Sequence, residues 1–193
     1  MNKEEIVSQI ESKFCKLSAE SKAAWNEKSI IIKLKKSEVL VEQGKRSDKI
    51  WFIGKGIVRA YYLKDGKRIC DWFAFENEFI SAITSFYSDT PSLHQIDIIS
   101  DAVLLETSRE TIAELCDQFH DFERLGRLST TETMLRLQQR IVSLQFETAS
   151  QKLHNLLQQY PNIYQLLPLG DIASYLGITQ ETLSRLRSKA STI

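Results

Sequence analysis

Residues 169–188, Leu169-Gly-Asp-Ile-Ala-Ser-Tyr-Leu-Gly-Ile-Thr-Gln-Glu-Thr-Leu-Ser-Arg-Leu-Arg-Ser188, constrain the fold of this chain more than any other stretch. Ile172, Ala173 and Leu176 fall on one face at helical spacing, which predicts a short helix. Gly177 follows where that helix must stop, because glycine takes the left-handed conformation without a Cβ clash. Thr179 is then suited to cap a second helix by accepting from its early N–H groups. That helix would bury Leu183 and Leu186. On its opposite side Gln180, Glu181, Ser184, Arg185 and Ser188 recur one and four residues apart and make a polar face. Ala173 is small where the two helices would cross. Two helices, a tight turn and a polar outer face satisfy the geometry of a helix-turn-helix, whose second helix enters a major groove. A helical hairpin that merely caps a domain would show the same apolar spacing.

Whether such a helix could meet DNA depends on charge. The 193 residues carry 25 Lys and Arg against 25 Asp and Glu, so the whole molecule is not a basic clamp. The distribution is uneven. Residues 149–193 hold four cations against two acids, and residues 1–148 hold 21 against 23. Three of those four cations, Arg185, Arg187 and Lys189, cluster on the second helix, where phosphate contacts would form. A hydrophobic content of 42% and a charged content of 26% suit a soluble globular chain with a substantial core.

Cys15, Cys70 and Cys116 are scattered and odd in number, and His94, His120 and His154 do not join them in any ligand spacing. Neither a disulfide framework nor a metal site is expected. No leader pattern and no membrane-length apolar run is present, so the chain is expected to be soluble, reduced and cytoplasmic, with no membrane partner. No catalytic residue is assigned. There is no Gly-rich phosphate loop or nucleophile motif, and Gly44-Lys45 lacks the rest of a P-loop.

The remainder reads in order. Ile6, Val7, Ile10, Phe14 and Leu17 predict an amphipathic first helix, and Ser18 caps a second to about residue 26. From residue 30 to about 107 short β-branched and aromatic runs take over: residues 38–42, 49–53, 57–63, 67–73, 96–99 and 102–105. Gly44, Gly54-Lys-Gly56 and Asp65-Gly66 are read as the turns between them. Strands this short predict an antiparallel roll. Ser108 caps a further helix carrying Ile112, Leu115, Cys116 and Phe119. A long helix then spans about residues 122–145 with two apolar stripes, Leu128, Leu135 and Val142, and Met134, Leu137, Ile141 and Leu144. Two stripes require two partners, one being the roll and the other the same helix of a second copy. Residues 146–150 form a hinge, and Leu153, Leu156 and Leu157 mark a short helix ended by Tyr160-Pro161.

This order of elements resembles the Crp/Fnr family of bacterial transcription regulators over about residues 5–190. The most specific match is Thr179-Gln-Glu-Thr-Leu-Ser-Arg185, similar to the family's Ser-Arg-Glu-Thr-Val-Gly-Arg. The resemblance implies an α+β fold. It consists of an antiparallel β-roll sensor domain of the cyclic-nucleotide-binding type with flanking helices (1–120), a long dimerisation helix and hinge (121–146) and a small all-α helix-turn-helix domain (147–193). It implies that Glu181 and Arg185 reach base edges, with Thr179, Gln180 and Thr182 at phosphates or bases and Ser184, Arg187, Ser188 and Lys189 completing the DNA-binding set. Arg can bond guanine O6 and N7 together, and Glu can accept from cytosine N4. The implied partners are double-stranded DNA bearing a palindromic operator, a second copy through Leu128, Met134, Leu137, Ile141 and Leu144, and RNA polymerase.

Two departures alter what the resemblance implies for ligands. The family's phosphate cassette, Phe-Gly-Glu-Leu followed by Arg-Ser-Ala, is replaced by Phe79-Ile-Ser-Ala-Ile83 and Ser92-Leu-His94. The candidate pocket is thus Phe79, Ser81, Ala82, Ser92 and His94, without the arginine that would pair with a cyclic phosphate. No cofactor is expected, cyclic AMP is not expected to bind, and the nature of any other effector is open. The usual β-hairpin wing is expected to be short or missing. The alternative reading is a small-ligand or protein-binding roll whose helix-turn-helix is only structural.

Overall fold

The computed structural model describes the backbone of residues 1–190 and side chains through Ser188. The chain clusters into two compact units, one of Met1–Ala60 and Phe73–Glu132, the other of Tyr61–Trp72 with the chain from residue 133 onward.

In the first unit, α1 (Lys3–Lys13) begins in a capping box. The Asn2 side chain accepts from the Glu5 N–H, and the Glu5 carboxylate accepts from the Asn2 N–H, which satisfies donors the helix cannot. Ile6, Val7 and Ile10 face inward and are buried. The Ser18 hydroxyl caps α2 (Ala19–Lys28) by accepting from the Ser21 N–H. α2 delivers Trp25 to the core. Its indole N–H donates to the Thr107 hydroxyl at 2.9 Å, and its ring meets Phe122 edge-on at 5.0 Å. The indole is therefore buried with its polar handle satisfied.

The strands are β1 (Ile30–Leu34), β2 (Val39–Val41), β3 (Lys49–Lys64), β4 (Lys67–Ala74), β5 (Phe79–Ser81) and β6 (Gln95–Ser108). They form an antiparallel jelly roll ordered β1-β6-β3-β4, with β2 also on β6 and β5 on β3. β1 pairs with β6 from Ile30 opposite Glu106 to Leu34 opposite Ala102. A short helix, α3 (Ile83–Ser88), joins β5 to the loop before β6. Ser108 caps α4 (Arg109–Gln118) through the Thr111 N–H at 3.1 Å.

Two sequence expectations change here. Residues 49–53 and 57–63 are one strand, not two, and Gly54-Lys-Gly56 is no turn. The glycines are there for close approach. A Cβ on Gly54 would lie 2.9 Å from Ile6 Cγ1 of α1, and one on Gly56, at φ +100°, would lie 2.7 Å from the Asp101 carbonyl oxygen of β6. Likewise residues 96–99 and 102–105 belong to the single strand β6, and α3 was not anticipated.

In the second unit, β3 and β4 meet at Asp65-Gly66. Both residues have positive φ, 52° and 72°, which is the tight hairpin that Asp-Gly favours. The long helix α5 (His120–Phe146) enters this unit at residue 133. It is followed by α6 (Ala149–Gln159), α7 (Ile163–Leu166), α8 (Leu169–Leu176) and α9 (Gln180–Ala190). Thr148 and Gln151 form a second capping box at α6. α8 packs on α9, and α6 packs on both. Leu153, Leu156, Ile163, Ile172, Leu176 and Leu183 are buried in the small core between them. Among the described residues, no helix is long and apolar enough to cross a membrane.

Candidate functional site

The turn between α8 and α9 is built as its residue types require. Gly177 takes φ +65°, ψ +33°, and its N–H reaches back to the carbonyls of Ala173 and Ser174. The Ile178 N–H donates to Ala173 O at 3.0 Å. These bonds satisfy carbonyls that a helix end would otherwise leave open. The Thr179 hydroxyl accepts from the Thr182 N–H at 3.2 Å and caps α9. Ala173 is buried, Leu183 is buried and Leu186 is half-buried, so the inner faces of both helices are closed.

On the outer face Thr179, Gln180, Glu181, Ser184, Arg185, Arg187 and Ser188 are exposed, and Thr182 is half-exposed. Arg185 makes a long 3.4 Å contact to the Thr182 hydroxyl, leaving an extended cation on the surface. The Glu181 carboxyl is held below the usual carboxylate range, first by a backbone N–H and then by the Thr179 hydroxyl and Arg185. It therefore presents an anionic acceptor beside an arginine donor. Ser188 turns its hydroxyl back to the Arg185 carbonyl at 3.0 Å. Arg187 sets its guanidinium 5.4 Å from the centroid of the Tyr164 ring on α7, a cation–π arrangement that limits the flexibility of a long side chain. The Lys189 side chain lies outside the described residues.

Along α5, Leu128 is half-buried, while Met134, Leu137, Ile141 and Leu144 are exposed together with Leu135, Val142 and Phe146. Monomeric surfaces rarely carry a contiguous apolar strip of this kind.

The five residues expected to line a pocket in the roll lie on β5, at its junction with α3 and in the loop before β6. Phe79 packs inward, its ring 5.0 Å from Phe52 and 5.7 Å from Phe14. It is partly buried against the core cluster that includes Ile6, Val7 and Ile10 of α1. Ser81 and Ala82 form the junction of β5 with α3, Ala82 fully buried. Ser92 is buried and committed to its own loop. Its hydroxyl donates to His94 O at 2.7 Å and accepts from the His94 N–H at 3.1 Å, while its N–H donates to Lys45 O and its carbonyl accepts from Gly44. Inside the roll lies a pair that sequence reasoning missed. Arg59 on β3 and Asp97 on β6 form a two-pronged bridge, Nε to Oδ1 at 3.0 Å and a terminal nitrogen to Oδ2 at 2.6 Å, with both residues buried. Arg59 alternates with apolar neighbours in a strand, the one signal that could have placed it inward.

Residues 31–119 match the family model of the cyclic nucleotide-binding domain. The fold is similar to that of FixK2 from Bradyrhizobium japonicum, at 19% identity and TM-score 0.74 over 85% of each chain. It is also similar to the c-di-GMP responsive global regulator CLP of Xanthomonas campestris, at 14% identity and TM-score 0.70 over 91% of this chain and 92% of that one. A third likeness is the Thermus thermophilus catabolite activator protein, at 16% identity and TM-score 0.57 over 95% and 87%. No curated protein sequence matches the chain.

Proposed function

We propose that this chain is a sequence-specific DNA-binding transcription regulator of the Crp/Fnr type that acts in the cytoplasm as a homodimer, with α9 as its reading helix. The observation that carries this is the α8–α9 pair. A glycine-stopped helix and a threonine-capped helix close their apolar faces on each other and leave Gln180, Glu181, Ser184 and Arg185 outward. In this reading Arg185 forks to a guanine edge and Glu181 accepts from a cytosine amino group. Thr179, Gln180, Thr182 and Ser184 contact phosphates or neighbouring bases, while Arg187 and Lys189 contribute charge to the backbone. The apolar strip of α5 meets the same strip of a second copy, and the dimer reads a palindrome. Solved structures of similar fold include proteins named as a global regulator and a catabolite activator, and the same role, including contact with RNA polymerase, is read for this chain.

The roll in this reading is not a cyclic AMP sensor. A bound cyclic phosphate needs an unspent cation. Ser92 offers a hydroxyl already engaged with His94, Ala82 offers no carboxylate for a ribose, and the buried Arg59 is paired with Asp97.

Selection of bound duplexes from a random pool tests the proposal. Enrichment of a palindrome with half-sites about one helical turn apart is expected, with affinity falling steeply as salt rises. Retention of no duplex above background, at low salt as well as high, would refute it and favour a roll whose helix-turn-helix is only structural.

A further inference from the structure

Contacts from outside the helix-turn-helix converge on the last turn of α8, just ahead of Gly177. The Arg140 guanidinium on α5 donates to the Tyr175 carbonyl at 2.9 Å and lies 4.1 Å from the centroid of the Tyr175 ring. Its second terminal nitrogen lies 3.8 Å from the Asp71 carboxylate on β4. One residue away, the Cys70 backbone N–H donates to the Ser174 hydroxyl at 2.8 Å. Leu144 completes the set, its Cδ2 lying 3.2 Å from where a Cβ on Gly177 would stand. One turn earlier on α5, Arg136 stacks 4.4 Å from the Trp72 ring.

The chemistry at this point is specific. The last carbonyls of a helix lack intrahelical partners and carry partial negative charge, so a guanidinium there is matched twice, by hydrogen bond and by dipole. The Arg140 side chain is only 14% exposed, which strengthens both effects by excluding water. The Tyr175 hydroxyl titrates above its ordinary range, chiefly through burial, with the Arg140 charge opposing. The ring is thus a neutral, apolar bed for the cation.

We propose that Arg140 is a positioning residue for DNA reading. It pins the end of α8 to α5 and to the β3–β4 hairpin, so the Gly177–Ile178 turn, and with it the presentation of α9, is set from outside the helix-turn-helix. The hairpin Tyr61–Trp72 clusters with the C-terminal unit, although its strands continue into the roll. It is the segment through which a change in β3 or β4 would reach α8. The inference rests on α9 being the reading helix. Arg140 itself is not on the reading face, so its loss should misplace α9 without removing a phosphate contact.

The test uses the full chain with Arg140→Met, Arg140→Lys and, as a milder change, Asp71→Asn. Amide exchange is measured without DNA, and binding to a selected operator and to a scrambled duplex is measured across a salt series. In Arg140→Met, exchange at Gly177 and Ile178 should quicken about tenfold, the scale of one lost charge-assisted hydrogen bond, while Ile6 and Ile53 stay protected. Operator preference should fall about tenfold with the salt slope unchanged, and Arg140→Lys should recover part of both. Asp71→Asn should move both in the same direction by about threefold, which keeps the test open if Arg140→Met does not fold. Unchanged exchange in both Arg140→Met and Asp71→Asn would overturn the pin. An equal loss on operator and scrambled duplex with a shallower salt slope would also overturn it, by making Arg140 a phosphate contact. A wild-type protein without operator preference would instead sink the DNA reading, whatever the exchange shows.

Discussion

Replacing Leu137 and Ile141 with lysine should separate the proposed dimer while leaving each protomer folded. Seven large apolar side chains of α5 stand in water: Met134 at 60% exposure, Leu135 at 54%, Leu137 at 38%, Ile141 at 50%, Val142 at 42%, Leu144 at 42% and Phe146 at 76%. Complete burial of such a side chain is worth about 1.5–3 kcal/mol, so the roughly half that remains is worth about 1 kcal/mol apiece. Over both protomers that amounts to about 14 kcal/mol. Association itself costs about 4–15 kcal/mol in lost freedom. A cost near 6 kcal/mol leaves about 8 kcal/mol, a dissociation constant near micromolar. The double variant removes four of these side chains from the symmetric pair, about 4 kcal/mol by the same measure. It also sets four ammonium groups near the axis. At about 1.4 kcal/mol per decade, the constant should weaken at least a thousandfold, to millimolar. Sedimentation equilibrium over micromolar concentrations reads this directly. A wild-type chain that is monomeric there, or a variant that dimerises as tightly as wild type, would refute the reasoning.

Three further outcomes are expected. Arg185→Ala should keep fold and dimer but lose about 1–3 kcal/mol of operator preference at fixed salt; equal discrimination between operator and scrambled duplex in both proteins would remove Arg185 from the base-reading set. Titration calorimetry with cyclic AMP and cyclic GMP should show no micromolar binding, because two missing charge-assisted bonds at about 1.5–3 kcal/mol each weaken affinity at least a hundredfold; micromolar binding of either nucleotide contradicts the account of the roll. Asp97→Ala should destabilise the chain by about 3–5 kcal/mol in urea, since it leaves Arg59 buried without its carboxylate, whereas Arg59→Met with Asp97→Leu should recover most of that loss; a single-variant loss under about 1 kcal/mol would show the bridge to be inconsequential.

What could be read from the sequence is what local chemistry determines. The Ser18 and Ser108 caps, the stop at Gly177, the threonine at the head of α9 and the tight turn at Asp65-Gly66 each depend on residues within four positions of one another. The buried faces of α1, α8 and α9 follow from spacing alone. The errors arose where a local signal had a distant cause. Gly54 and Gly56 looked like turn residues because glycine permits turns, yet Ile6 and Asp101 are what exclude a side chain there.

The same division separates the helix-turn-helix from what governs it. Its internal frame is encoded within some twenty residues and would be recognisable in a fragment. Its attachment is not. Arg140 lies 35 positions before the carbonyl it holds, and Cys70 lies 104 before the hydroxyl its N–H meets. Arg140 reads in the sequence as one more polar residue between Leu137 and Ile141, with nothing to distinguish it from Gln138 or Gln139. The difference is geometric. The apolar residues of α5 that the proposal assigns to a second copy are exposed, and Arg140 sits between them in the chain yet turns into a water-poor contact with a helix end. In this reading one helix serves two couplings that share Leu144 but otherwise use different residues, so the lysine pair at Leu137 and Ile141 and Arg140→Met should be separable. The first should abolish dimerisation while leaving exchange at Gly177 slow. The second should quicken that exchange in a protein that still sediments as a dimer.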